Sequence, residues 1–203
     1  MNDKNINADS TENIGAEQEL APTSNEASDM ADGAPKYEPG GKYERLIYFV
    51  YRKETLAEIF RISSYTIVAL TVYAFFMTVM ALIESPIEIV KLLAAAGIPF
   101  VAVSALRIIF DAPRPYELFE FYEKKPKGKA GKSFPSRHVF SVFVIAVLIL
   151  PTYLAVGIGL MVLGALLAFL RVALGIHFVR DVVAGGLIGI VSGVIGLLIL
   201  NLI

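Results

Sequence analysis

Charged residues vanish from this chain over long stretches, and those gaps set the expected architecture. From Ile62 to Ile83 no charge occurs over 22 residues, enough to cross a hydrocarbon core at 1.5 Å per residue. A second apolar stretch runs from Ser85 to about Phe110, with Glu88 and Lys91 near its entry and Arg107 near its exit. Its opening, Ser85-Pro86-Ile87-Glu88, carries a capping serine, a proline at the first helical position and a glutamate at the third. Val139 to Leu170 is free of charge for 32 residues. One helix of that length overshoots a bilayer, and Pro151 stands near the middle, so the stretch divides into two spans turning around Pro151–Tyr153. Val182 to Ile203 supplies a fifth span. The expectation is an all-α, polytopic membrane helical bundle of about five transmembrane helices.

The remaining segments are polar or mixed. Residues 1–40 are rich in Asn, Ser, Glu, Asp and Ala and cannot bury enough apolar surface to offset ordering entropy, which predicts a disordered acidic tail. Residues 41–61 mix Tyr, Leu, Ile and Phe with Arg45, Arg52, Lys53 and Arg61, the composition of an interfacial amphipathic segment. Within it Thr55-Leu-Ala-Glu58 has the form of a capping box, which predicts a helix start. Residues 62–203 form the transmembrane domain. Between the second and third spans, residues 111–137 make a polar loop whose Lys124–Lys132 run reads as a solvated linker facing lipid headgroups. In the last span Gly185, Gly189 and Gly193 recur every four residues, a ridge of small residues that lets a neighbouring helix approach closely.

Composition agrees with this division. Apolar residues make up 56% of the 203 and mean hydropathy is +0.63, above the soluble globular range. The net charge of −1 hides an asymmetry: residues 1–40 carry −7 and residues 41–203 carry +6. A mildly basic body suits an anionic membrane surface or an anionic substrate, and no nucleic-acid partner is expected. With no cysteine, disulfide and thiol chemistry are excluded. The first forty residues lack a secretory signal pattern, so insertion is expected to use the internal spans.

Candidate chemistry comes from the ionisable residues that interrupt the apolar pattern. Such residues are costly at a membrane span and mark functional sites. With five spans in this order, the second and fourth leave the membrane on the face where the third and fifth enter. Arg107, the 111–137 loop, His138, Arg171, His177 and Asp181 are thereby brought to one face, including both histidines of the chain. Pro113 and Pro115 hold Arg114 in an extended corner. Ser136 is placed to cap the third span, where free backbone N–H groups bind oxyanions. His177 and Asp181 stand four apart and share a face if helical, so the carboxylate can hold one ring nitrogen and leave the other free. Guanidinium forks match phosphate oxygens, and an Asp-oriented histidine can attack phosphorus while a second histidine protonates the leaving oxygen. Two histidines and an aspartate are also a possible zinc set, which the surrounding arginines disfavour; no metal and no cofactor are expected.

Three segments, Arg107-x6-Arg114-Pro115, Pro135-Ser136-Arg137-His138 and Leu170-Arg171-x5-His177-x3-Asp181, resemble in order and spacing the signature of the type 2 phosphatidic acid phosphatase (PAP2) superfamily. That signature is Lys-x6-Arg-Pro, Pro-Ser-Gly-His and Ser-Arg-x5-His-x3-Asp. The resemblance implies a membrane-bound, metal-independent phosphatase acting through a phosphohistidine on a lipid phosphate or diphosphate. It implies His177 as nucleophile, Asp181 as its orienter, and His138 as acid and later base. Arg107, Arg114 and Arg171 would hold the phosphate, with Ser136 and backbone amides helping. Arg137, in place of the family glycine, adds a fourth cation or faces the headgroups. Arg107 stands for Lys and keeps the charge, while Leu170 stands for Ser and removes one hydroxyl.

Two alternatives remain open at this stage. One is a lipid phosphotransferase that passes phosphate to an acceptor other than water. The other is a catalytically silent lipid-phosphate binder or transporter, to which the departures at Arg137 and Leu170 lend support. Family members usually have six spans with the first motif ending the third; here it ends the second, and residues 41–61 stand where the other span would lie. The resemblance implies a site outside the cytoplasm, whereas the Lys and Arg content of the N-terminal flank and the 111–137 loop points inward.

Overall fold

The computed structural model describes residues 40–119 and 131–199. The expected tail therefore lies, save Gly40, outside the described residues, as do most of the Lys124–Lys132 run and the last four positions of the fifth expected span. The described residues form seven helices: α1 (Lys42–Arg52), α2 (Glu54–Ala81), α3 (Pro86–Phe110), α4 (Pro115–Leu118), α5 (Arg137–Ile149), α6 (Leu154–Ala173) and α7 (Val179–Ile199). Four of them, α2, α3, α6 and α7, are long and apolar enough to cross a membrane. They face outward with large apolar side chains, among them Ile62, Tyr65, Tyr73, Ile98, Ile109 and Leu198, each more than half exposed. A soluble protein does not present an apolar surface of that extent; a bilayer covers it. The chain is a polytopic helical membrane protein.

The third expected span is α5, and it differs from the other four. At 13 residues it is about 20 Å long, short of the ~30 Å hydrocarbon core. It is tolerated because it is enclosed by protein: Val139, Phe140, Val142, Val144, Ala146, Val147, Leu148 and Ile149 are all buried. One apolar cluster joins it to α3 and α7 through Leu92, Val103, Phe140, Val144, Val147 and Leu197. A second joins it to α2, α6 and α7 through Ile67, Val139, Val142, Leu167, Leu170 and Val182. The turn after α5 carries Pro151, as the sequence pattern requires, and α6 begins at Leu154.

The glycine ridge of α7 explains how α5 sits so close. A Cβ at Gly185 would lie 2.6 Å from the Ser136 carbonyl oxygen, one at Gly189 2.7 Å from the Phe140 carbonyl oxygen, and one at Gly193 2.6 Å from the Val147 Cβ. The two helices therefore pack in close contact from Gly185 to Gly193, about two turns, with backbone against backbone at Gly185 and Gly189. Polar residues inside α2 are satisfied locally: the hydroxyls of Ser64, Thr71 and Thr78 donate to the carbonyls of Phe60, Ile67 and Ala74, the usual i−4 bond of a membrane helix.

Two expected caps do not form. α2 begins at Glu54 behind Lys53, with no side-chain cap bond, because α1 ends one residue earlier and leaves no room for Thr55 to act; Glu58 pairs instead with Arg61 at 2.6 Å. Pro86 does open α3, but Ser85 caps it through its carbonyl, which accepts from the Glu88 and Ile89 amides. Glu88 turns forward to Lys91 at 2.8 Å.

Candidate active site

The site is built from chain segments that the helices hold at one end of α5. α3 terminates at Asp111 in the left-handed region, φ 34°, and Arg114 follows between its prolines with φ −102° and ψ 156°, the extended corner expected. From there its Nε donates to the Gly131 carbonyl at 3.0 Å. Gly131 in turn donates to Glu117 at 2.8 Å, and Ser133 N donates to the Ala112 carbonyl at 2.8 Å. These bonds lash the two ends of the 111–137 loop together.

Arg107 is buried in the last turn of α3, where its Nη1 donates to the carbonyls of Ser133 at 3.1 Å and Pro135 at 2.5 Å. It thus holds the backbone that leads into α5. Ser136 stands at the N-cap of that helix, but its hydroxyl does not make the expected cap bond; Oγ is buried with no hydrogen-bond partner. Its amide donates to the Asp181 carbonyl at 3.0 Å, which pins the α5 start to the first turn of α7. The first-turn N–H groups of α5 have no intrahelical acceptors and point out of the same end, an anion-binding arrangement.

His177 and Asp181 are close, but not for the reason the spacing suggests. His177 lies in the turn between α6 and α7, not on a helix, and Asp181 lies in the first turn of α7. Gly175, with φ +65°, reverses the chain after α6. The Arg171 carbonyl accepts from the amides of Ile176 at 3.1 Å and His177 at 3.3 Å, and the Gly175 carbonyl accepts from Tyr116 N at 3.2 Å. From α1, Tyr43 donates through its hydroxyl to the His177 carbonyl at 3.2 Å and packs its ring on Phe178 and Phe119. His177 Nδ1 is 3.7 Å from Asp181 Oδ2, beyond hydrogen-bond distance. The Ser133 hydroxyl lies between them, 2.5 Å from Asp181 Oδ2 and 3.3 Å from His177 Nδ1. Asp181 Oδ2 also accepts from Phe178 N at 3.0 Å. Burial lowers the His177 pKa below the ordinary 6.5, with the nearby Asp181 carboxylate opposing the effect and the Arg114 and Arg107 charges adding to it.

Arg171 is buried in the last turn of α6, and its Nε and Nη2 have no hydrogen-bond partner. A buried cation without an acceptor is expensive, and a dianionic ligand would satisfy it. Electrostatic coupling links His138 to Arg171, His177, Arg137 and Arg107, and links Arg114 to Arg171, His177 and Arg107. The expected residues therefore converge, with two distinctions among them. The Arg107 Nη1 is engaged by backbone carbonyls, and Arg137 is exposed, lining with His138 a cavity of about 500 Å³ between α2, α3 and α5. The cavity body is apolar, with Val68, Val72, Phe75, Leu93 and Phe100 among its walls. Among the described residues, no group of three or more His, Cys, Asp or Glu is placed to hold a metal ion.

The arrangement coincides with a family pattern over most of the helical body. The model of the PAP2 superfamily matches residues 88–202, which include every motif residue from Arg107 to Asp181. The chain belongs to the PAP2 superfamily. Among solved structures, the crystal structure of Aquifex aeolicus LpxE is similar, with a TM-score of 0.57 and 28% identity over 75% of this chain and 93% of that one. No curated protein matches the chain. Family and fold together support a lipid phosphatase.

Three contributors in this PAP2 protein, Ser133, Tyr43 and Gly175, were not among the expected site residues. Ser133 sits in a polar loop where nothing distinguishes it from its neighbours. Tyr43 belongs to a helix remote in sequence, and its role arises from tertiary contact alone. Gly175 did carry a signal, a glycine just past a helix with a basic last turn.

Proposed function

We propose that this PAP2 protein is a multi-pass enzyme of the cell membrane that hydrolyses a lipid phosphomonoester or diphosphate, without a metal ion, through a phosphohistidine. Phosphatidate, phosphatidylglycerophosphate and polyprenyl diphosphate are the substrates of the expected class. The observation that carries the reading is the pairing of a carboxylate-backed histidine with buried donors, Arg171 Nε and Nη2 and the Ser136 hydroxyl, that have no hydrogen-bond partner. Arg171 and Arg114, with Ser136 and the α5 amides, bind the phosphoryl oxygens and stabilise the charge that spreads over them in the transition state. His177 Nε2 attacks phosphorus, helped by a burial-lowered pKa that keeps the ring neutral. His138 protonates the leaving oxygen and then takes a proton from the water that cleaves the phosphohistidine. Arg107 supports the site by bracing the Ser133–Pro135 backbone, and Arg137 meets the headgroup at the cavity rim.

The apolar cavity beside His138 favours a lipid over a soluble phosphate ester, because a soluble substrate offers it nothing to bury. α1 fits a position on the headgroups: Lys42, Arg45 and Arg52 share its exposed face with Phe49, while Ile47 and Val50 are buried against the bundle. The test is phosphate release by purified protein from a panel of lipid phosphates and diphosphates in chelator-treated detergent. Turnover without metal, inhibition by vanadate and its loss in His177→Ala are expected. Full activity of His177→Ala, or dependence on an added divalent ion, refutes the proposal. Transfer of labelled phosphate to an acceptor other than water would assign a phosphotransferase instead.

A further inference from the structure

Ser133 is the residue of the site that neither motif spacing nor helix geometry anticipates. It is fully buried, and each of its polar groups is engaged: the amide with the Ala112 carbonyl, the carbonyl with Arg107, and the hydroxyl with both Asp181 and His177. A carboxylate only accepts, so the Ser133 hydroxyl proton is committed to Asp181 Oδ2. That leaves the Ser133 oxygen with its lone pairs toward His177 Nδ1, where the matching group is an N–H. The direct His177–Asp181 separation of 3.7 Å is too long to set the tautomer by itself.

We propose that Ser133 is a positioning residue that couples Asp181 to His177 through its hydroxyl, fixing the Nδ1–H tautomer and leaving Nε2 as the nucleophile. This rests on the reading of His177 as the attacking group. In the first step the Nε2 lone pair forms the N–P bond while the P–O bond to the lipid breaks, and the leaving oxygen takes a proton from His138. The imidazole keeps its Nδ1 proton and becomes cationic, and the Ser133 dipole carries the stabilisation of the Asp181 carboxylate to it. In the second step water attacks phosphorus and gives its proton to His138, and the N–P electron pair returns to Nε2. Ser133 neither gains nor loses a proton in either step.

The test compares Ser133→Ala and Ser133→Cys with wild type. Cysteine nearly preserves the shape but is a weak donor, so a space-filling role predicts wild-type behaviour for it and the coupling role predicts that it follows alanine. Both variants are expected to lose about 10²-fold or more in kcat with KM within about twofold. That stays short of the ~10⁴ that loss of tautomer control costs in a serine protease triad. With only two histidines in the chain, nitrogen NMR reads the His177 tautomer directly: Nδ1–H in wild type, a mixture in both variants. A Ser133→Cys variant with wild-type kcat and an unchanged tautomer overturns the proposal, and remains informative if Ser133→Ala does not fold. A wild-type enzyme that forms no phosphohistidine overturns the underlying reading instead, and acid-quench trapping of that species separates the two failures.

Discussion

Gly185→Ala is the sharpest test of how the glycine ridge of α7 serves the site. The added Cβ would lie 2.6 Å from the Ser136 carbonyl oxygen and 3.3 Å from the Ser136 amide nitrogen. Ordinary contact begins near 3.4 Å, so α5 and α7 must separate by about 0.8 Å at this point. The obstacle is backbone, and no rotamer change relieves it. Overpacking of this kind costs about 1–3 kcal/mol, offset by up to ~1 kcal/mol of improved helix propensity. The separation also stretches the 3.0 Å bond from Ser136 N to the Asp181 carbonyl, which joins the phosphate-facing start of α5 to the His177–Asp181 segment. A misplacement near 1 Å can cost about 10²-fold in rate, so turnover is expected to fall by about tenfold to 10²-fold. Gly159→Ala is the control, since its Cβ meets nothing within 4 Å; it should leave turnover unchanged and stability equal or slightly raised. Phosphate release and thermal unfolding in the same detergent measure both quantities. Wild-type turnover and stability in Gly185→Ala would refute the inference that backbone contact at this glycine sets the geometry.

Four further outcomes are expected. Arg171→Lys should lower kcat by about 10²- to 10³-fold, the usual cost of removing a transition-state donor, with little change in thermal stability because its Nε and Nη2 bond no protein atom. Arg107→Met should instead lower thermal stability by about 2 kcal/mol or more, since it strands the buried carbonyls of Ser133 and Pro135; equal unfolding behaviour of the two variants would sink the distinction. For pH, His177 must be neutral to attack, and burial lowers its pKa. The acid limb of kcat/KM should therefore fall below 6.5, and stability should decline as pH drops below 6.5, where the unfolded chain binds a proton that the folded chain resists. A limb above 6.5 contradicts the assignment. Tyr43→Phe removes one bond to the His177 carbonyl, worth about 0.5–1.5 kcal/mol, so turnover should drop by no more than about tenfold, while Tyr43→Ala, which also loses the contacts with Phe119 and Phe178, should drop further.

The sequence alone determined the all-helical membrane class of the protein and the place of its apolar helices, because these depend on properties that act locally or along the chain. Charge-free length decides what can enter a bilayer, Pro151 decides where a 32-residue apolar run must break, and the order of spans decides which motifs share a face. Gly185, Gly189 and Gly193 announced a close helix neighbour by their period. Only the tertiary structure decided that the neighbour is α5, and that α5 can be too short to span because its surroundings are protein rather than lipid. It also divided the arginines, giving the Arg107 Nη1 to backbone carbonyls and leaving Arg171 Nε and Nη2 without a partner, although both read as the same cation in the sequence. The four-residue spacing of His177 and Asp181 brings the two near each other across a turn rather than along a helix face, because Gly175 follows the end of the helix before His177. That geometry leaves a gap of 3.7 Å which a hydroxyl from another segment fills. Ser133 is 44 residues from His177 and 48 from Asp181, and no periodicity reaches that far; only the packing of α3, α5 and α7 brings it to the site.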